Sequence, residues 1–293
     1  MKCINKWICL SLLIAVSCVS GCGKTSAAIE QPYDVYATAA DFGLSSNGTA
    51  EAKSYFASDL CVSEDVAIGT DSTDSQVAEG AGTFNLETNT VVYAKNLYER
   101  LYPASTTKIL TAYIALKYCD DLDAMVTVSE NAVNQASDSS VCNLKAGDVI
   151  RLRDLLYGLM LRSGNDAAVA IAEYISGDVD SFAALMNQEA AAMGATRSHF
   201  VNPNGLPDEN HYTCVYDMYL IFSNAIKNDT FVSIIGTTSY DVTYTDASGE
   251  AVTHTWENTN QYLTGNATTP DGFQIVGGKT GTTGEAGYCL VLY

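Results

Sequence analysis

Lys279-Thr280-Gly281 lies near the end of the 293-residue chain, behind Ser105-Thr106-Thr107-Lys108 and Ser163-Gly164-Asn165. Each stretch alone is weak evidence, because serine, lysine and glycine are common residues. The ordered set S-x-x-K, S-x-N and K-T-G is far more specific, since it joins two serine hydroxyls, two amines and an amide in one known pattern. The three stretches together predict one active site that is built from distant parts of the chain.

The first motif places a serine and a lysine on the same face of a predicted helix. Residues three apart on a helix have Cβ atoms about 5 to 6 Å apart, so Lys108 can take the proton of Ser105, a hydroxyl that needs a base to become a nucleophile. This requires that the pKa of Lys108 falls well below its usual value of about 10.4, by desolvation or by a second cation such as Lys279. We expect Ser105 at the helix N-terminus, where its backbone N–H can bind an oxyanion. The alternative is a helix N-cap beside a solvated lysine.

The second motif joins two predicted helices. Ser163 and Asn165 flank a glycine there, so both side chains can project into a cleft while the helices stay rigid. The alternative is an ordinary capping turn, in which Asn165 serves as the cap.

The third motif lies on a predicted edge strand. Lys279 can bind a carboxylate as a point charge, and the hydroxyls of Thr280 and Thr282 can add hydrogen bonds. Gly281 lets the backbone of a substrate approach closely. The alternative for Lys279 is a lysine that protects a strand edge from aggregation.

The N-terminus has the features of a bacterial export signal. Two lysines precede an apolar run from Trp7 to Val19, which is too short to span a membrane. Val19-Ser20-Gly21-Cys22 then resembles a lipobox, so we expect residues 1–21 to be removed, Cys22 to be lipidated, and the protein to be anchored outside the membrane. The alternative is an ordinary cleaved signal peptide and a secreted protein. Residues 22–55 are predicted to be a linker, and residues 56–293 the catalytic domain.

Composition excludes several classes of function. The chain has 15 basic and 34 acidic residues, a net charge of −19, and removal of two signal lysines leaves 13 − 34 = −21. Nucleic-acid binding is therefore not expected. No complete P-loop, H-x-x-x-H or paired-cysteine spacing occurs, so neither a cofactor nor a metal is expected. The three histidines and the five cysteines beyond residue 22 are interpreted as structural, the cysteines as buried thiols.

Periodicity gives a coarse secondary structure. Residues 81–86 and 91–95 flank a polar turn and predict an antiparallel hairpin. Apolar spacing predicts a buried helix over 109–118 and an amphipathic helix from Leu152, with further helices over 166–174, 181–193 and 215–226. Strands are predicted over 240–244 and 251–256 and around Lys279. The predicted fold class is therefore α+β.

These residues resemble those of the serine D-alanyl-D-alanine carboxypeptidases, the low-molecular-mass penicillin-binding proteins of bacterial cell-wall metabolism. The resemblance runs from about Ala81 to the end. It rests on the contexts Tyr102-Pro-Ala-Ser-Thr-Thr-Lys108, Ser163-Gly-Asn-Asp-Ala167, Asn202-Pro-Asn-Gly-Leu206, His211-Tyr-Thr213, Asn258-Thr-Asn260 and Gly278-Lys-Thr-Gly281. Class A β-lactamases share only the three sparse motifs.

The resemblance implies a β-lactamase/transpeptidase-like fold, with a helical cluster packed on an antiparallel sheet and the active site between them. It implies that Ser105 attacks the carbonyl of the penultimate D-alanine of a peptidoglycan stem peptide, with Lys108 as the base. Ser163 and Lys279 then pass a proton to the departing D-alanine, and Asn165 binds the peptide amide.

The resemblance also implies how the end of the substrate is held. Lys279, Thr280 and Thr282 bind the terminal carboxylate, and the backbone N–H groups of Ser105 and Thr282 form the oxyanion hole. Water then hydrolyses the acyl-enzyme, and β-lactam antibiotics trap it.

Family members continue beyond the predicted strand at 287–293 with another strand and a C-terminal helix. The expectation is therefore that these two elements are missing from the sequence as given. Two alternatives stay open: a class A-like β-lactamase, and a non-catalytic lipoprotein that binds peptidoglycan. A class A-like enzyme needs a deacylating acid, and none of Glu173, Glu189 and Glu209 lies in an E-x-x-x-N setting.

Overall fold

The computed structural model describes residues 57–69 and 77–293, and residues Asp59–Tyr293 form one compact unit. The predicted signal peptide, the predicted lipidation site Cys22 and the predicted linker lie outside the described residues. Within the described part of the chain, no helix is long and apolar enough to cross a membrane.

The described strands form three antiparallel sheets. An N-terminal hairpin pairs β1 with β2, with a bulge between Thr83 and Phe84. A four-stranded sheet has the order β3-β4-β5-β6, and a final hairpin pairs β7 with β8. The bounds are Ala81–Asn85 for β1, Thr90–Lys95 for β2, Met125–Thr127 for β3, Val149–Arg151 for β4, Ser239–Thr245 for β5, Ala251–Glu257 for β6, Gly278–Thr283 for β7 and Gly287–Leu292 for β8.

Helices fill the middle of the chain around one central helix. A short 3-10 turn, Ala104–Thr107, leads into the helix α1. The helices are α1 (Lys108–Tyr118), α2 (Glu130–Val133), α3 (Leu152–Leu161), α4 (Asn165–Ser176), α5 (Val179–Ala192), α6 (Val215–Ala225) and α7 (Asp229–Ile235). Helix α1 packs against α3, α4, α5 and α6. It therefore carries its first residue, Lys108, into the protein interior.

Burial explains why α1 is central. Ile109, Leu110 and Ile114 are all at most 1% exposed, and its small residues Ala112 and Ala115 are equally buried. A helix that is apolar on most faces gains stability only when it is enclosed, at about 25 cal/mol for each Å² of apolar surface removed from water. The neighbouring helices provide that enclosure, so the position of Lys108 is fixed by the core.

The structure confirms the predicted α+β class and each predicted helix and strand to within a few residues. Two points differ. Ser105 lies in the 3-10 turn and α1 begins only at Lys108, because the turn is held by backbone bonds to Pro103 and Ser105 and has no side-chain cap. Cys119 and Cys289 are only half-buried, whereas Cys61, Cys142 and Cys214 are buried as expected.

Candidate active site

The 3-10 turn presents Ser105 through a strained backbone. Ala104, the residue before the serine, has a φ of +48°, a conformation that is unfavourable for a residue with a side chain and costs of order 1–3 kcal/mol. The hydroxyl of Thr106 donates to the carbonyl of Pro103 at 2.6 Å and helps to hold the turn. The result is a half-buried serine at the rim of a buried cluster.

The amine of Lys108 makes three hydrogen bonds in this cluster. Its Nζ lies 3.0 Å from Ser105 Oγ, 2.8 Å from Asn165 Oδ1 and 2.7 Å from the backbone carbonyl of Asn204. The side chain is fully buried. Desolvation, with the charge of Lys279 as the second cause, lowers the pKa of Lys108 well below its usual value.

This geometry orients the lone pair of a neutral Lys108. A neutral amine has two hydrogens and one lone pair, and amide oxygens can only accept hydrogen bonds. The oxygens of Asn165 and Asn204 therefore take the two hydrogens. The third neighbour, Ser105, has a hydroxyl that can donate, so the lone pair faces the proton that a base must remove.

The S-x-N turn reaches the cluster between α3 and α4. Ser163 has a φ of +59°, and the backbone N–H of Asn165 donates to the carbonyl of Ser140 at 2.8 Å. The side chain of Asn165 is 4% exposed and faces Lys108, while Gly164 occupies the N-cap position of α4 without a side-chain cap bond. Asn165 is therefore not used as a cap, and its amide group belongs to the site.

A buried carboxylate fastens the S-x-N turn to the wall of the cleft. Asp166 accepts hydrogen bonds from the backbone N–H groups of Cys142, Leu144 and Ala167 at 2.9 to 3.1 Å. These bonds hold the loop that carries Ser139 and Ser140, two residues that line the cleft together with Ser105.

Lys279 enters the site from strand β7. Its Nζ donates to Ser163 Oγ at 3.0 Å and to the carbonyl of Thr280 at 2.7 Å. The side chain is 1% exposed, and burial lowers its pKa to about 7. Lys279 is therefore poised between a cation and a neutral amine at neutral pH.

Gly281 allows β7 to pass directly beside the predicted nucleophile, Ser105. A β-carbon at this position would lie 2.9 Å from the backbone nitrogen of Ser105 and 3.1 Å from the β-carbon of Ala104. Any side chain would therefore push the strand away from the turn. The close approach brings Thr282 to the cleft beside Ser105.

The two threonines of this strand differ in their surroundings. The hydroxyl of Thr280 lies 2.7 Å from that of Thr259, whereas the hydroxyl of Thr282 donates to the carbonyl of Gly281 at 2.7 Å. A ligand can accept a hydrogen bond from Thr282 only if the Thr282 hydroxyl first turns away from the Gly281 carbonyl. The Thr280 hydroxyl needs no such change when the Thr259 hydroxyl donates to it, because its own hydrogen is then free for the ligand.

The structure brings the predicted site residues together. Ser105, Lys108 and Asn165 form one hydrogen-bonded set, and Ser163 and Lys279 form a second set that reaches it through the S-x-N turn. The predicted lipidation site Cys22 cannot be compared, because it lies outside the described residues. Sequence reasoning missed the Asn204 carbonyl, although its context, Asn202-Pro-Asn-Gly-Leu206, was one of those that carried the resemblance.

A family model described as Peptidase S11, D-alanyl-D-alanine carboxypeptidase, matches residues 69–293, which is more than half of the chain. The chain belongs to this family. The predicted family resemblance is therefore confirmed.

Curated relatives of the S11 family agree with this assignment. The chain is 35% identical over 218 residues to D-alanyl-D-alanine carboxypeptidase DacF of Bacillus subtilis, covering 73% of this chain and 53% of that protein. It is 37% identical over 224 residues to the D-alanyl-D-alanine carboxypeptidase of Streptomyces sp. strain K15, covering 73% of this chain and 75% of the relative. The chain thus spans about half the length of the Bacillus relative.

The S11 fold is also found among solved structures. The crystal structure of the Streptomyces K15 DD-transpeptidase matches with a TM-score of 0.66 and 35% sequence identity, covering 73% of this chain and 82% of that one. This similarity confirms the predicted transpeptidase-like fold.

Proposed function

We propose that this S11 chain is a serine D-alanyl-D-alanine carboxypeptidase, which removes the terminal D-alanine of peptidoglycan stem peptides through an acyl-serine intermediate. The observation that carries the proposal is the set of three bonds around Lys108. Two oxygens that only accept, from Asn165 and Asn204, leave the lone pair of a neutral amine directed at Ser105. A binding protein has no need of a lysine with a lowered pKa beside a serine hydroxyl.

In the first half-reaction, Ser105 Oγ attacks the carbonyl carbon of the penultimate D-alanine and its proton passes to Lys108 Nζ. The resulting oxyanion is stabilised by the backbone N–H groups of Ser105 and Thr282, which lie along the same cleft. The peptide C–N bond then breaks, and the departing amine takes the proton that Lys108 accepted, passed on through Ser163 and Lys279, so that Lys108 is neutral again. An ester of Ser105 remains.

In the second half-reaction, water attacks the ester carbonyl. Lys108 takes a proton from the water and Ser105 recovers its hydroxyl proton as the ester C–O bond breaks. The shortened stem peptide leaves with a new carboxylate. No metal or cofactor takes part in this scheme.

Lys279 accounts for recognition of the chain end. With a pKa lowered to about 7 by burial, it gains from a carboxylate nearby, because an opposite charge favours its protonated form. Thr280 and Thr282 supply hydroxyls on the same strand, Gly281 leaves space for the ligand backbone, and Asn165 supplies an amide for the peptide. β-Lactam antibiotics have the same pairing of a reactive carbonyl and a carboxylate, and we expect them to acylate Ser105.

A location outside the cytoplasm fits both the family and the predicted signal over residues 1–21. The finer proposal is a lipid on Cys22 that anchors the enzyme to the bacterial membrane, with secretion as the alternative. Loss of radiolabelled-lipid incorporation in a Cys22→Ala variant tests the anchor, and equal labelling of both forms contradicts it.

The rival activity is that of a class A-like β-lactamase, in which a glutamate carboxylate serves the hydrolysis of the penicillin ester. Glu173 accepts from Ser129 and Asn131, and Glu189 accepts from Lys117 and Tyr118. Both carboxylates are therefore hydrogen-bonded to other residues, and neither lines the cleft that contains Ser105. The site offers Lys108 as the base for both half-reactions, which favours a carboxypeptidase with slow release of β-lactams.

The deciding experiment follows two products of the full chain in detergent. One is the covalent adduct with a fluorescent penicillin by intact mass, and the other is D-alanine released from a peptide that ends in D-Ala-D-Ala. Both are expected in the native protein and neither in Ser105→Ala. Rapid turnover of penicillin without release of D-alanine would support the β-lactamase instead, and no adduct in a chain with a cooperative thermal transition would support a binding protein.

A further inference from the structure

His211 packs against the 3-10 turn Ala104–Thr107, which carries the proposed nucleophile and is called the nucleophile turn, and its ring is fully buried. The backbone N–H of Val201 donates to its Nδ1 at 3.1 Å, and its Nε2 lies 2.9 Å from Thr107 Oγ1. A nitrogen that accepts a hydrogen bond cannot carry the proton of a neutral ring. The proton is therefore on Nε2, and the ring donates to the Thr107 hydroxyl.

The two partners of this ring belong to the two walls of the cluster. Thr107 stands between Ser105 and Lys108 in the S-x-x-K motif. Val201 begins the segment 201–206, whose Asn204 carbonyl accepts a hydrogen bond from Lys108. The ring thus spans the turn that carries the nucleophile and the segment that orients its base.

A second contact shows how closely these walls are fitted. Gly205 lies against the Ala104 peptide so tightly that a β-carbon would fall 1.8 Å from the Ala104 oxygen. The hydroxyl of Thr111 also donates to the carbonyl of Pro203 at 2.7 Å. The segment therefore has little freedom once its anchor at Val201 is set.

We propose that His211 is a positioning residue for acylation, which holds Ser105, Lys108 and the Asn204 carbonyl in register by bridging Thr107 and Val201. This inference rests on the proposed function. The ring is buried behind the turn and acts only through these neighbours, so it sets the rate of the chemical step rather than the binding of the ligand.

The charges around the ring keep it neutral. Burial lowers the pKa of His211 to about 4, with Lys108 and His199 acting in the same direction and Asp208 opposing them. The ring of Phe200 packs edge-on against it at 5.5 Å. At the pH of a cell surface both nitrogens therefore keep the donor and acceptor roles that the bridge needs.

Two substitutions separate the halves of the bridge. In His211→Gln the side-chain amide nitrogen can reach the position of Nε2 and donate to Thr107, and the amide oxygen can accept from the backbone N–H of Val201. Both hydrogen bonds of the bridge are therefore expected to be retained. His211→Asn places an oxygen near Nδ1 and leaves Thr107 without its donor. The matched control is His199→Gln, because His199 is exposed and, among the described residues, its ring is hydrogen-bonded only to the carbonyl of Asn210.

The experiment measures acylation of the full chain by a fluorescent penicillin, resolved into a pre-covalent dissociation constant and a rate constant for acylation. We expect His211→Asn to lower the rate constant about 10- to 100-fold, as small misplacements of reacting groups do. The change in the dissociation constant is expected to stay within about 2-fold, which corresponds to the roughly 0.3–0.5 kcal/mol found for independent sites. His211→Gln is expected to recover most of the rate. Assays at least about 10 °C below each variant's Tm separate this effect from unfolding.

A second readout does not depend on catalysis. Titration of isotope-labelled lysine amines by NMR reports the pKa of Lys108. This pKa is expected to fall further in His211→Asn, because the Asn204 carbonyl, which accepts from the amine and favours its charged form, moves away. It is expected to stay unchanged in His211→Gln and His199→Gln. If the native chain fails to acylate, the proposed function fails and this titration still tests the bridge. Native acylation rates and an unshifted Lys108 in His211→Asn overturn the proposal, as does an equal loss in the Asn and Gln variants.

Discussion

Lys108 and Lys279 are buried in the same cluster, and the charge of Lys279 is the second cause, after burial, of the lowered pKa of Lys108. Burial alone lowers the pKa of Lys279 to about 7. Two ammonium groups in one desolvated site repel each other, so the pair is most stable when one lysine is an ammonium and the other a neutral amine. Asn165 and Asn204 hold one amine and Ser163 holds the other, which separates their roles.

The pH profile of acylation is expected to be bell-shaped. The second-order rate constant for β-lactam acylation is expected to rise with pH as Lys108 loses its proton. It is expected to fall again as Lys279 loses the charge that binds the ligand carboxylate, and this second change lies near pH 7 in the free enzyme. Stopped-flow fluorescence from pH 5 to 9 measures it. Lys279→Arg, which stays protonated, is expected to lose the alkaline limb, and a flat native profile contradicts this assignment.

Lys279→Met is expected to abolish acylation and to stabilise the fold. The pKa of Lys279 in the folded protein lies below its unfolded value of about 10.5. Burial of Lys279 therefore lowers the free energy of unfolding, by its full amount below about pH 7. This loss of stability shrinks as the pH rises from 7 toward 10.5. The gain is expected to be about 1–4 kcal/mol at pH 6 and smaller at pH 9. Urea unfolding at both pH values measures it, and equal gains at both contradict the assigned pKa.

Gly205→Ala is expected to disrupt the nucleophile turn. Gly205 has a φ of +89°, and its β-carbon would overlap the Ala104 carbonyl, so we expect at least about 3 kcal/mol of destabilisation and loss of acylation. Gly249→Ala is the control, because Gly249 has the same φ, and a β-carbon there would meet no atom of the described residues within 4 Å apart from its own chain neighbours. Thermal unfolding of both variants separates the clash from the backbone strain, and similar losses in the two would rule the clash out.

Thr259→Val is expected to weaken binding of peptides with a free C-terminal carboxylate. It removes the hydroxyl that lies 2.7 Å from the hydroxyl of Thr280. One such hydrogen bond contributes about 0.5–1.5 kcal/mol. This energy corresponds to roughly a 2- to 12-fold rise in KM, with little change in kcat because the bond helps to hold the ligand in the ground state and in the transition state alike. Steady-state release of D-alanine measures it. Thr253→Val removes a comparable hydroxyl pair with Thr243 on β5 and β6 and is expected to change neither constant. A fall in kcat alone would contradict a role in binding.

The sequence predicted which side chains the structure brings together, although their catalytic roles stay a prediction. Spacing alone placed Lys108 beside Ser105, because positions three apart share a helical face. The longer helices and strands were also predicted, since each repeats its apolar period several times. Strands β3 and β4 were not, because three residues are too few for an alternating pattern.

The rest of the site depends on contacts that have no local signature. The acceptor that completes the Lys108 set is the backbone carbonyl of Asn204, and every residue has such a group. His211 meets Thr107 across 104 positions of sequence, and the left-handed conformation of Ser163 is set by packing around it. Tertiary structure alone decides these features.

Under the proposed function, the two oxygens that hold the Lys108 amine would also govern how long an inhibitor stays attached. Once Ser105 is an ester it has no hydrogen left to donate, yet the oxygens of Asn165 and Asn204 still hold the amine in place. The lone pair then faces the ester and can serve only a water molecule that enters beside it. In the proposed mechanism, a ligand that keeps water out of that space would leave a long-lived acyl-enzyme, so the lifetime of the adduct would depend on the shape of the ligand as well as on its reactivity.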